Sequence, residues 1–303
     1  MAEDPTAGEL RRFVLEAQPL RGQWVRLGPA WQELRACRSY PPVVASLLGE
    51  AATAAVLLAA TLKFEGTLTL QFAGSGRVRL LVAQCSDRFQ LRAVAHHDLN
   101  ASEAVGFATL VGTGRLVVTV QSEPSGANYQ GIVPLEGANL AACLERYFEG
   151  SEQLPTRLML AADGARAGGL LLQKLPSATV GGEGSGALLQ QAWEDLSSGL
   201  DSLSPEQLLS AAAEDSLRRV FGAHDCRVFG ITPVHFACRC SQERVSNLVR
   251  SLGEEEARAA LASEGALTVT CEFCGRDYRY DAVDIAQLFA PDGRVQPPPG
   301  GYN

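Results

Sequence analysis

Cysteine supplies the clearest chemistry in this chain of 303 residues, because four of its eight cysteines fall in two tight pairs. Cys238 and Cys240 lie in FACRCS, and Cys271 and Cys274 lie in TCEFCGRDY. Thiolate is the soft ligand that zinc favours in closed tetrahedral sites, and paired cysteines at short spacing are a strong sign of one. A single zinc ion held by Cys238, Cys240, Cys271 and Cys274 is therefore expected; four incidental buried cysteines would not account for two pairs. Zinc keeps its cysteine ligands ionised at neutral pH. Thiolate is also the form that peroxide and hypochlorous acid attack. One cluster can thus hold a fold and sense oxidant. Either pair can also close on itself, the one-residue gap only with strain that makes the bond easier to reduce. A purely structural zinc ribbon has the same ligands, so the cysteines alone leave sensor and ribbon both open.

The elements that must position these sulfurs are short. Ser241 can cap a helix whose apolar stripe is Val245, Leu248, Val249 and Leu252, stopped by Gly253. Glu254, Glu255 and Glu256 open a second helix, where acidic residues suit the positive helix end. Leu267–Thr270 reads as a strand into the second pair, and Gly275 supplies the glycine of a tight zinc knuckle. Tyr278 and Tyr280 alternate along the strand leaving it, and Ala282–Phe289 forms a last helix before the proline-rich tail VQPPPGGYN, which reads as disordered. Such a module, residues 232–303, has about seventy residues and a thin apolar inventory, too little for comfortable independent stability. Structural zinc contributes on the order of 10–16 kcal/mol of apparent binding energy. Losing one ligand is expected to eject the metal and unfold the module.

Residues 1–180 read as one α+β domain, a mixed sheet with interspersed helices. Strand patterns occur at Phe13–Leu15 and Gln23–Leu27, then a helical run at Val43–Leu62 follows the Pro41-Pro42 breaker. Thr67–Phe72 and Arg77–Ala83 flank Gly74-Ser75-Gly76 as a hairpin, followed by a strand at Phe89–Ala95. A second hairpin joins Arg115–Gln121 to Tyr129–Val133, a helix covers Glu136–Phe148, and strands at Arg157–Ala161 and Gly169–Leu175 complete the domain. The glycine pairs Gly74/Gly76 and Gly112/Gly114 lack the lysine of a phosphate loop and read as turns. His96-His97-Asp98 has no partners at ligand spacing and reads as a strand end.

Residues 181–231 form a connector of different character, flexible and then helical. PSATVGGEGSG (176–186) is the clearest boundary. Leu189, Trp193, Leu196, Leu200 and Leu203 then recur on one helical face. Ser204-Pro205-Glu206-Gln207 is a helix start, with Leu209, Ala213, Leu217 and Val220 as the next stripe. These interrupted amphipathic helices need a surface to dock on.

Composition narrows the function classes. The net charge is -8, and lysine occurs only at Lys63 and Lys174, which argues against an electrostatic grip on nucleic acid. The N-terminal MAEDPTAGEL is acidic and polar, so no secretory signal is expected there. The apolar run Val43–Leu62 carries Glu50 and is only weakly hydrophobic for a span of about 20 residues; a buried helix, and no membrane, is expected. A cytoplasmic, reducing location follows, where close cysteine pairs read as metal ligands or redox centres.

The two cysteine pairs, in FACRCSQERV and VTCEFCGRDYRY, resemble the zinc signature of the redox-regulated holdase chaperones called heat shock protein 33. VGTGRLVVTV, NYQGIVPL and YFEGSEQLPTRL (Tyr147–Leu158) resemble the same family's N-terminal domain, so the likeness covers nearly the whole chain. It implies a protein that is not an enzyme. When reduced, Cys238, Cys240, Cys271 and Cys274 bind zinc and the protein is an inactive monomer. Oxidant pairs Cys271 with Cys274 and Cys238 with Cys240, and zinc leaves. The connector, about Leu188 to Ile231, then loses structure, and a homodimer holds unfolding client proteins without ATP. Leu189, Trp193, Leu196 and Leu200 are candidate client-binding residues, as is an N-terminal surface bared when the connector leaves. Cys37, Cys85, Cys143 and Cys226 lie outside the motif and read as apolar filler, with Cys226 placed to capture a switch cysteine. Two rivals are a zinc ribbon binding a regulatory partner or nucleic acid, and a thiol oxidoreductase using Cys271-Glu272-Phe273-Cys274.

Overall fold

Two sets of antiparallel strands share one apolar helix. In the computed structural model the described residues are 7–98, 106–123, 126, 128–176, 185–222 and 224–290. Strands β1 (Gly8–Leu15) and β2 (Leu20–Arg26) lead through α1 (Pro29–Ala36) into α2 (Pro42–Thr61). Next come β3 (Gly66–Gly74), β4 (Val78–Ser86), β5 (Gln90–His97), the short α3 (Phe107–Val111), β6 (Gly114–Ser122) and β7 (Asn128–Pro134). Helix α4 (Leu140–Gly150) precedes β8 (Thr156–Ala162) and β9 (Ala167–Lys174). The strands order as β7-β6-β3-β4-β5 and β1-β2-β9-β8, joined by β11 (Thr232–Phe236). β11 pairs antiparallel with β1 and parallel with β5, while β10 (Cys226–Val228) takes the other half of the same edge of β1.

Helix α2 is long and apolar enough to cross a membrane by length and composition alone. Here it is a core helix: nearly every residue from Val44 to Ala60 is buried, and it packs on β2, β3, β4, β5, β8 and β9. A helix apolar on all sides needs such surroundings. Its lone acid, Glu50, is pushed up to about 7 by burial.

The opposite face of β1, β2, β8 and β9 carries a second cluster. Phe13, Leu15, Trp24, Leu170 and Leu172 pack under α5 (Ser185–Ser198), a 3-10 turn at Gly199–Ser202, α6 (Pro205–Ser210) and α7 (Ala213–Phe221). The expected helix start at Ser204 is a full capping box: Ser204 Oγ accepts from the Gln207 amide at 3.2 Å, and Gln207 Oε1 accepts from the Ser204 amide at 3.0 Å. Arg157 pairs with Asp201 at 2.9 Å, and Arg26 donates to the Ala211 carbonyl at 3.3 Å.

The chain divides into two compact units, Met1–Ala237 and Cys238–Asn303. The second contains α8 (Gln242–Leu252), α9 (Glu254–Glu264), the hairpin β12 (Leu267–Thr270) and β13 (Asp277–Tyr280), and α10 (Ala282–Leu288). A module beginning at residue 232 therefore starts too early, because Thr232–Phe236 complete the large sheet. Neither β10 nor β11 stands out in the sequence, since each is too short for periodicity to reveal. The helix expected from Glu136 begins at Leu140, where Asn139 Oδ1 accepts from the Ala142 amide at 2.8 Å and fixes the start. Gly74 and Gly114 face each other across β3 and β6, and Gly76 donates to the Val111 carbonyl, so both glycine pairs are turn and strand-end glycines. Most of the expected boundary stretch 176–186 and the tail 291–303 lie outside the described residues.

Candidate metal centre

The first cysteine pair sits where β11 gives way to α8. Ser241, directly after Cys240, is the helix cap: its Oγ accepts from the Arg244 amide at 3.2 Å. Arg244 Nη1 reaches back to the carbonyl of Arg239 at 2.7 Å, so the residue between the two cysteines is anchored to α8. The second pair is the turn of the β12–β13 hairpin. Cys271 donates its amide to the Arg276 carbonyl at 2.9 Å, and its own carbonyl accepts from the Gly275 amide at 2.8 Å. Gly275 adopts φ 69, a left-handed conformation that favours glycine. Just before the turn, Thr270 Oγ1 donates to Asp277 Oδ1 at 2.6 Å.

These two loops bring all four sulfurs within 4.8 Å of one another, each cysteine half-buried. Cys238 Sγ lies 3.4 Å from Cys240 Sγ and 3.6 Å from Cys271 Sγ, and Cys240 Sγ lies 3.4 Å from Cys274 Sγ. A tetrahedron of sulfurs at the usual zinc–sulfur distance of about 2.3 Å has edges of roughly 3.8 Å. The donor set and its spacing therefore fit one soft divalent ion. The thiols behave as a crowded cluster. Burial opposes ionisation of Cys240, but the Tyr278 hydroxyl and the neighbouring sulfurs outweigh it and bring that thiol down to about 7. Burial, with its neighbours, holds Cys274 above the ordinary thiol range, and burial likewise raises Cys238. Like charges this close cannot all form unaided, whereas a bound dication reverses the balance.

The support beneath the cluster is small. Val245, Val249, Ala257, Tyr278, Tyr280, Ile285 and Leu288 make up its buried core, with Cys240 and Cys271 packed against it. Half of the expected α8 stripe is on the surface: Leu248 and Leu252 are 52% and 53% exposed. Ser246 is buried instead, its hydroxyl 3.1 Å from that of Tyr280. Packing against α9, α10 and the β13 tyrosines decides which part of α8 is covered. α10 opens with a capping box at Asp281 and Asp284 that passed unread in the sequence, although aspartate three residues before aspartate was its visible signal.

Of the candidate client-binding residues, Leu196 and Leu200 are buried and Trp193 is half-buried, all against the β1-β2-β9-β8 face. Leu189 lies in α5, its side chain outside the described part. Cys85 and Cys143 are buried as expected of filler, but Cys37 and Cys226 are only half-buried. Burial pushes the Cys226 thiol up to about 11, which makes it a poor nucleophile in this state. His97 bonds the Asp98 carbonyl and Asp98 pairs with Arg79; among the described residues the only metal-competent cluster is the four cysteines.

The comparisons with known proteins agree with this arrangement. The family model described as Hsp33 protein matches residues 8–281. A 33 kDa chaperonin of Pseudomonas paraeruginosa is 43% identical over 289 residues, covering 95% of this chain and 96% of the relative. A 33 kDa chaperonin of Nitrosococcus oceani is 41% identical over 285 residues, covering 92% and 93%. The fold matches a crystal structure of the 33 kDa chaperonin (heat shock protein 33 homolog) of Thermotoga maritima with a TM-score of 0.78 at 24% identity, covering 92% of this chain and 97% of that one. Taken together with the four-sulfur cluster and the α+β architecture, these matches show that the chain belongs to the Hsp33 family of chaperones.

Proposed function

We propose that the protein is a redox-regulated, ATP-independent holdase whose reduced form binds one zinc ion through Cys238, Cys240, Cys271 and Cys274 and is an inactive monomer. The observation that carries this reading is the four-sulfur cluster at metal spacing over a core of seven buried residues. Bound zinc supplies charge neutralisation and a cross-link between the two loops. Each disulfide forms in two steps. A thiolate sulfur attacks a peroxide oxygen, the O–O bond breaks, hydroxide leaves and a sulfenic acid remains. The second thiolate then attacks that sulfur and expels hydroxide, which is protonated to water. Two electrons pass from sulfur to peroxide for each of Cys271–Cys274 and Cys238–Cys240. Sulfurs paired in this way no longer ligate, so the ion is released and the small core loses its cross-link.

The cover formed by α5, α6 and α7 supports the second half of the proposal. Helices of 6 and 9 residues, such as α6 and α7, are not stable by themselves; their stability comes from docking Leu208, Leu209, Leu217 and Phe221 on the sheet. The chain runs from α7 through β10 and β11 to Cys238, so a collapsing module acts on the C-terminal end of this cover. Its departure bares Phe13, Trp24, Leu170 and Leu172, an apolar surface for unfolding clients and for dimerisation in the cytoplasm. Nucleic acid is not among the partners proposed.

Light scattering from a heat-denaturing client protein tests the reading. The reduced, zinc-loaded form should leave aggregation unchanged and the peroxide-treated form should suppress it. A Cys271→Ser/Cys274→Ser variant should gain no suppression from the same oxidant; equal gain would sink the switch. Suppression by neither form would favour the partner-binding zinc ribbon.

A further inference from the structure

NYQGIVPL and YFEGSEQLPTRL meet at a cavity that owes nothing to the sulfur cluster. It measures about 350 Å³ and lies among the C-terminal end of α2, β3, β6, β7 and α4, within the range of small-ligand sites. Leu58, Leu68, Val118 and Val120 belong to its apolar lining, with Phe64 and Phe148 beside them. At one part of the rim, Tyr147 donates to Glu152 Oε1 at 2.7 Å, Tyr129 donates to the same oxygen, and the two hydroxyls are 2.6 Å apart. Gly131 leaves room for the Tyr147 ring, since a Cβ on it would lie 2.1 Å from the Tyr147 hydroxyl and displace it. Gln153, next to Glu152, holds φ 54, an uncommon conformation outside glycine. The two motifs thus cooperate to build this wall.

The charges in the lining are unevenly matched. Glu152 is its single carboxylate and is committed to the two phenols. Arg21 and Lys63 also line the cavity, and among the described residues no carboxylate lies within ion-pair distance of either. Arg21 is half-buried, with Nη2 and Nε at 2.7 and 3.2 Å from Gln173 Oε1, a neutral acceptor. A partly desolvated guanidinium on a neutral amide still lacks the charged acceptor that gives it a strong hydrogen bond. We propose that this cavity binds a small amphipathic carboxylate, its apolar body on Leu58, Leu68, Val118 and Val120 and its carboxylate on Arg21 and Lys63.

Isothermal titration calorimetry on the full-length, reduced, zinc-loaded protein tests this with decanoate, decanol and decyltrimethylammonium as probes. Decanoate should bind, with decanol and the cation weaker by roughly tenfold or more, the usual scale of one charge-assisted contact. Arg21→Gln should weaken decanoate roughly tenfold while leaving decanol unchanged, and Val118→Phe should remove both by filling the cavity. Lys63→Gln, at an exposed position, provides a variant that keeps the fold. Equal binding of decanol and decanoate, no binding of decanoate, or parental affinity in both Arg21→Gln and Lys63→Gln would overturn the proposal. Displacement of decanoate by a C-terminally amidated apolar peptide, insensitive to Arg21→Gln, would assign the cavity to polypeptide instead.

Discussion

In the larger unit, α2 places Leu48, Val56 and Leu57 in an interior that Trp31, Leu68, Leu70 and Leu81 complete from α1 and the strands. In the smaller unit the buried apolar cluster among the described residues is Val245, Val249, Ala257, Tyr278, Tyr280, Ile285 and Leu288. Apolar burial stabilises by roughly 25 cal/mol per Å², so the first interior sustains a fold and the second scarcely can. The second unit has, in exchange, four sulfurs at metal spacing. One unit rests on a large apolar interior and the other on a small one beside the four-sulfur cluster. That contrast is what the proposed switch requires, since the part that fails must fail without the rest.

On the zinc-bound reading proposed above, removing the metal is the most direct way to break the contrast. A strong chelator under reducing conditions should cost the small unit on the order of 10–16 kcal/mol of apparent stability. Amide exchange should become fast throughout β12, β13 and α8 while β3, β4 and β6 stay protected; unchanged protection in β12 and β13 would refute the dependence.

The converse experiment attacks the large interior. Leu57→Ala should destabilise the larger unit by about 2–5 kcal/mol in urea titrations, the range for a large buried aliphatic residue. Metal content should be unaltered. A loss of much less than that would mean the core is looser than the burial of α2 implies.

The smallest effect sharpens the comparison from inside α2. Burial raises Glu50 from 4.5 to about 7. The folded chain therefore binds more protons than the unfolded one between those values, so this group's contribution is fully present below 4.5 and is lost as pH rises through 7. Charging Glu50 costs on the order of 3 kcal/mol. Glu50→Gln should accordingly be the more stable protein at pH 8, with the advantage vanishing near pH 4.5. An advantage independent of pH would place its origin in packing rather than in charge.

Much of this was legible residue by residue. The β3–β4 and β6–β7 hairpins follow from alternation around turn glycines, Ser204 caps a helix where its spacing to Gln207 says it should, and Ser241 caps the helix that its apolar stripe announces. α2 reads as a core helix because a stretch apolar on every face must be surrounded. Leu248 and Leu252 mislead for the opposite reason: a stripe of the right period shows which residues can be covered, and only the packing of the neighbouring elements decides which are.

By itself the sequence determined the two close cysteine pairs Cys238/Cys240 and Cys271/Cys274, the helix caps and the strand periods, because each is encoded within a few residues of backbone and side-chain chemistry. Only the tertiary structure decided the rest. It closed two loops into one cluster, and it gave β10 and β11 to the free edge of β1. It laid α5 to α7 on the sheet face opposite α2, and brought Tyr129 against Tyr147 beside Arg21 and Lys63. Each of these joins segments far apart in the chain, and such pairings are chosen by which edges and faces the earlier elements leave uncovered, a property that no local stretch contains.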